Sequence, residues 1–127
     1  MEFKSLIVAC ALLVVAVVGK SIETIKVKSD VHNIELCPGA PTHFVYQAEV
    51  IEEGKFLQKL TEIRKYPSEG TTNTAKITCI FVEDLIGNNN GGYPTLDSGG
   101  IGFTHVAIKM VSQLSKGMAF RISIYTA

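Results

Sequence analysis

Apolar and polar residues alternate with a period of two along most of the chain, and a period of 3.6 is nearly absent. Met118, Phe120, Ile122 and Ile124 alternate with Ala119, Arg121, Ser123 and Tyr125, the cleanest one-faced pattern present. That alternation predicts a strand whose first set of side chains turns into a core. Phe103 to Gln113 reads as its hairpin partner, with Val106, Ile108 and Met110 inward. The turn between them, Leu114-Ser115-Lys116-Gly117, puts glycine where a type I turn followed by a bulge needs positive φ. Phe44, Tyr46, Ala48 and Val50 alternate with Val45, Gln47 and Glu49, which predicts a half-buried strand ending at Glu52-Glu53-Gly54. Ile77, Cys79 and Phe81 alternate with Thr78, Ile80 and Val82, and with both faces apolar this strand is expected inside a sheet.

Ser21 to Lys28 predicts a short first strand through Ile22, Ile25 and Val27, and Cys37-Pro38-Gly39 with Pro41 marks a turn. Lys55 to Tyr66 is ambiguous. Phe56, Leu60 and Ile63 fit a helical stripe, but Pro67 closes the segment among strands, so extended segments with a hairpin-like bend are favoured. Short strands separated by Gly, Pro and Asn clusters define the expected class: all-β, a small antiparallel sandwich or barrel.

A leader is expected before it. Leu6 to Val18 is an unbroken apolar run of thirteen residues behind Lys4, too short for a spanning helix, which needs about 20. Val17 and Gly19 suit a signal peptidase, so residues 1–19 read as a signal peptide and 20–127 as a single β domain. The alternative is an uncleaved signal anchor. Export to the extracellular space follows from the first reading, with no membrane attachment after cleavage.

Cysteine usage fits that compartment. Removing the leader takes Cys10 with it and leaves Cys37 and Cys79, most simply one disulfide in an oxidising environment; two separately buried thiols are the alternative. Charge narrows the partners. Eleven Lys and Arg face eleven Asp and Glu beyond the leader, so no long-range field draws the chain to nucleic acid or anionic lipid. The expected partner is a protein or carbohydrate, and an exposed edge strand could join two copies.

The motifs that suggest chemistry do not hold together. Asp97-Ser98-Gly99-Gly100 copies part of a serine-protease nucleophile segment, but Leu96 stands where its leading glycine belongs and no histidine sits in a matching context. Gly87 to Gly92 carries no lysine for a phosphate loop, and Gly100-Ile101-Gly102 runs into a strand. His32, Cys37 and His43 lie close in sequence but lack a fourth ligand once Cys37 is bonded, and both histidines are expected to be exposed. His105 is expected on the solvated outer face of its strand. Asp84, Asn88, Asn90 and Asp97 lack the spacing of a calcium loop. No catalytic residue, metal or cofactor is expected, and the chain does not read as an enzyme.

What remains is a glycine- and asparagine-rich stretch that reads as a shaped loop. Asn89, Asn90, Gly91, Gly92, Tyr93, Ser98, Gly99 and Gly100 form the candidate binding loop, because loops on a rigid sheet carry function.

The same stretch carries a family resemblance. Asn89-Asn90-Gly91-Gly92-Tyr93, Ser98-Gly99-Gly100-Ile101-Gly102, Val106-Ala107-Ile108, Ser112-Gln113, Lys116-Gly117 and Ile122-Ser123-Ile124-Tyr125 occur in order. As a set they resemble the insect multiprotein bridging factor 2 family, which includes response-to-pathogen proteins and salivary secreted peptides. Members commonly end Ile-Tyr-Gly, whereas this chain ends Ile124-Tyr125-Thr126-Ala127, and Leu114-Ser115 replace a more basic turn. The resemblance implies a non-enzymatic protein. Its expected role is a secreted binding or response protein of defence or saliva. The alternative is a transcriptional coactivator bridging a DNA-bound factor to the general transcription machinery without touching DNA itself.

Overall fold

The computed structural model describes residues 30–127. The expected leader over 1–19 and the expected first strand over 21–28 lie outside them. Among the described residues there are seven strands: β1 (Ile34–Leu36), β2 (His43–Glu52), β3 (Thr61–Tyr66), β4 (Ile77–Asp84), β5 (Tyr93–Gly99), β6 (Val106–Val111) and β7 (Met118–Thr126). They form two antiparallel sheets, one ordered β1-β4-β7-β2 and the other β3-β6-β5. The sheets do not close on each other, so the all-β expectation resolves to a sandwich.

The core lies between the two inner faces. Phe120, Ile122 and Ile124 of β7 and Ile80 and Val82 of β4 meet Val106, Ile108 and Met110 of β6 in one buried cluster. The strict alternation along β7 follows from this: every second side chain is withdrawn from water while its neighbours stay partly exposed. Strand β4 is internal, between β1 and β7. Its apolar outer face is covered locally. Cys79 is bonded to Cys37 with their Cα atoms 4.2 Å apart, and Phe81 meets the edge of Tyr125 at 6.0 Å.

Three expectations are corrected. First, β6 and β7 do not form a hairpin. Strand β6 pairs with β3 and β5, and β7 pairs with β2 and β4, so residues 112–117 carry the chain from one sheet to the other. Alternation fixes which way a side chain points, and it looks the same whether the facing apolar row lies alongside or across the core. Gly117 does not hold the positive φ of the turn; Ser115 does, at 64°. Glycine is needed at 117 because a Cβ there would run into the carbonyl oxygen of Glu52.

Second, the alternation of β2 is interrupted. A bulge between Phe44 and Tyr46 brings Val45 onto the core and turns Phe44 outward. There its ring meets that of Tyr125 at 5.3 Å. Third, the glycine-rich stretch is not a single loop, since residues 93–99 are strand β5. A Pro- and Gly-bearing strand survives there because β5 is a sheet edge, where a missing N–H need not break a ladder.

Lys55 to Tyr66 follows the extended reading: a turn at Phe56 and Leu57, then β3. On the outer face of the larger sheet, Arg121 stands between Glu49 and Glu83 in register on either side. Its guanidinium reaches Glu49 at 3.0 Å and Glu83 at 3.4 Å. The hydrogen bonds Arg121 donates to Glu49, then the charge of that carboxylate, hold Arg121 above the usual arginine range.

Candidate functional site

Antiparallel pairing brings three connections, residues 53–60, 85–92 and 112–117, to one end of the sandwich, together with residues 31–33 that lead into β1. The candidate loop is divided by this arrangement. Asn89, Asn90, Gly91, Gly92 and Tyr93 lie at that end, at the start of β5. Ser98, Gly99 and Gly100 lie at the opposite end, about 20 Å away along a strand that rises about 3.3 Å per residue.

Side chains from three other elements set the shape of the first group. Asn88 and Asn89 both take left-handed backbone, φ 55° and 61°, a conformation asparagine tolerates better than most residues. Asp84 accepts the N–H groups of Ile86 and Gly87 at 3.1 and 3.2 Å, turning the chain out of β4. The Gln113 amide donates to the carbonyls of Asn89 at 2.7 Å and Gly91 at 3.0 Å. The Nδ1 atom of His32 lies 2.8 Å from the carbonyl oxygen of Gly92, and its ring stacks on Tyr93 at 5.2 Å. Gly91 and Gly92 are buried, while Asn88, Asn89, Asn90 and Tyr93 face water.

His32 is therefore buried, contrary to the exposed placement expected from sequence. The partner that buries it lies sixty residues along the chain, so no local pattern could have indicated it. His43 and His105 are exposed. Among the described residues, no group of three or more His, Cys, Asp or Glu side chains is placed to hold a metal ion.

The second group is held by backbone geometry. Gly99 has φ +69°, and a Cβ on it would strike the carbonyl oxygen of His105. The N–H of Gly100 donates to that same carbonyl at 3.0 Å, closing the turn into β6. Asp97 and Ser98 are exposed on the edge strand.

Next to the asparagine loop stands a feature that the sequence reading missed. The 53–60 and 112–117 connections are fastened together by Leu57 N–H to the Ser115 hydroxyl at 2.7 Å and Ser115 N–H to the Gln58 carbonyl at 2.9 Å. Leu60 N–H to the Ser112 hydroxyl at 2.8 Å, with Ser112 N–H returned to the Leu60 carbonyl, completes the joint. The tip so formed presents Phe56, Leu57 and Leu114 with 82, 63 and 52% of their surface exposed. Their apolarity was visible in the sequence; the left-handed backbone at Leu57, φ 58°, was not.

A family model described as Transcription activator MBF2 matches residues 40–126. The chain belongs to this family. In this MBF2-family chain the matched span covers β2 to β7, that is, the core, the asparagine loop and the apolar tip. Strand β1 and Cys37 precede the match, so the disulfide ties that preceding segment to β4 within it. No curated protein and no solved structure matches the chain.

Proposed function

We propose that the protein works by binding other proteins, without chemistry of its own, as a transcriptional coactivator bridging a DNA-bound factor to the general transcription machinery. The match to Transcription activator MBF2 over residues 40–126 is the observation that carries this reading. Balanced charge agrees with a bridging role that makes no phosphate contacts of its own. A reporter gene driven by a promoter bound by the partner factor tests it. Added protein should raise transcription and remain on the promoter only while that factor is present. Direct retention on naked DNA, or no effect on the reporter, would remove the reading.

A second reading is favoured by the Cys37–Cys79 disulfide. Such bonds persist outside the reducing cytosol and nucleus. With the apolar run at Leu6 to Val18, it supports an exported binding or response protein. Untagged protein expressed in insect cells separates the two. Recovery from the medium with a new amino terminus near Lys20 supports export, and recovery from nuclei with Met1 intact supports the coactivator.

A further inference from the structure

We propose that the end of the sandwich built from residues 53–60, 85–92 and 112–117 is a membrane-docking tip that seats on an anionic phospholipid bilayer. The inference is independent of which reading of function holds.

Exposed apolar side chains gather at this end. Phe56, Leu57 and Leu114 lie exposed on the fastened pair of connections, and Leu85 and Ile86 leave β4 at the same end of the sandwich. Gln113 ties the two groups, because its amide reaches the 85–92 connection while its neighbours Ser112 and Ser115 hold the 53–60 connection. The result is one rigid, hydrogen-bonded surface with apolar groups at its crest. Scattered single apolar residues are ordinary on a protein surface; a contiguous set held outward marks a contact.

The backbone adds a second observation. Leu57 occupies a left-handed conformation that favours glycine, as does Ser115 across the joint. Strain of this kind does nothing for the core, since Leu57 is 63% exposed and takes no part in the core cluster.

Exposure and charge select the bilayer among possible partners. Phe56, Leu57 and Leu114 are more than half exposed, and a bilayer accepts protruding apolar groups without a complementary mould. Lys55, Lys59 and Lys116 are exposed within the same two connections. Glu53 shares the 53–60 connection and Glu52 ends β2 beside it, so the tip itself carries three lysines against one glutamate. An apolar crest flanked by lysines fits acyl chains below and anionic headgroups around it. Whole-chain neutrality hid this, because most of the compensating acids lie outside the tip.

Co-sedimentation with phosphatidylcholine vesicles, with and without phosphatidylserine, tests the proposal using protein expressed from the full chain. Binding should be strong with phosphatidylserine and weak without it. Phe56→Ser combined with Leu114→Ser should lower partitioning about tenfold or more. Lys55→Gln, Lys59→Gln and Lys116→Gln should each lower it about fivefold, on the phosphatidylserine vesicles only. Leu57→Gly suits the local backbone, so it should weaken binding while the unfolding temperature holds or rises. All variants share the same amino terminus, so attachment through the apolar run at Leu6 to Val18 would be indifferent to them. No pelleting, equal pelleting on both vesicle types, or pelleting that the tip variants leave unchanged would each overturn the proposal.

Discussion

The hydroxyl of Ser115 accepts the backbone N–H of Leu57 at 2.7 Å, and both residues stand in the left-handed region, with φ of 64° and 58°. Each therefore carries a conformational cost of about 1–2 kcal/mol for an L-residue, which the hydrogen-bonded joint maintains. Because the two connections meet at this contact, the direction of the apolar tip depends on it.

Replacing Leu57 by glycine removes the left-handed penalty. It also gives the unfolded chain more freedom, worth about 0.5–1 kcal/mol in the opposite direction. The expected net effect is a gain of up to about 1 kcal/mol, a rise of several degrees in unfolding temperature. Ser115→Ala keeps the strain and loses the acceptor, so it should cost about 1 kcal/mol. Calorimetry on both variants checks the pair. Destabilisation by Leu57→Gly would mean that the leucine side chain is anchored in a way its exposure does not indicate.

The Gln113 side chain spans from one connection to another by donating to two carbonyls, those of Asn89 and Gly91. Gln113→Ala should therefore act locally, lowering global stability by about 1–2 kcal/mol while loosening residues 87–92 much more. Hydrogen exchange should show faster amides there and unchanged protection in β4 and β7. Uniform acceleration across the sheets would contradict the assignment.

Much of the fold was legible because burial is periodic. Met118 to Ile124 alternate since one face of β7 meets the core, and β4 reads as internal since its outer face is also covered, by a disulfide and by Tyr125. The sequence did not reveal adjacency. Val106, Ile108 and Met110 point inward as their pattern predicts, yet they face β7 across the core. Bulges were equally hidden: one extra residue at Val45 reverses the direction of Phe44. For the site, the Asn and Gly residues marked a shaped segment that Asp84 turns locally through Ile86 and Gly87, but His32 and Gln113 reach it from distant positions whose own neighbourhoods carry no signal.

The Cys37–Cys79 bond closes a loop with a sequence separation of 42 residues. In the chain-entropy model such a loop restricts the unfolded ensemble by about 4 kcal/mol. Against a net stability of about 5–15 kcal/mol for a domain of this size, the loss is large. Replacing both cysteines by serine also places a hydroxyl at the fully buried position 79, which adds a cost of about 1–3 kcal/mol if it finds no partner. Urea unfolding of the double variant should show a midpoint far below that of the parent. Cys79→Ala with Cys37→Ala avoids the buried hydroxyl and should fall between the two. Equal midpoints for all three would show that the bond contributes little.

Phe120 is fully buried in the inward row of β7, opposite Asp84 of β4 and Val50 of β2. Phe120→Ala removes a ring from the centre of the cluster and should cost about 3–5 kcal/mol. Phe120→Asp should be worse, because it also places a carboxylate at a fully buried position, opposite the half-buried Asp84. Raising the pH ionises that new carboxylate more fully, so any folded fraction of the aspartate variant should be found at acidic pH and vanish towards neutrality. Phe120→Ala has no such group and should show no matching pH dependence. Circular dichroism of both variants across that range decides the matter: a soluble, folded aspartate variant at neutral pH would mean that position 120 does not face the core.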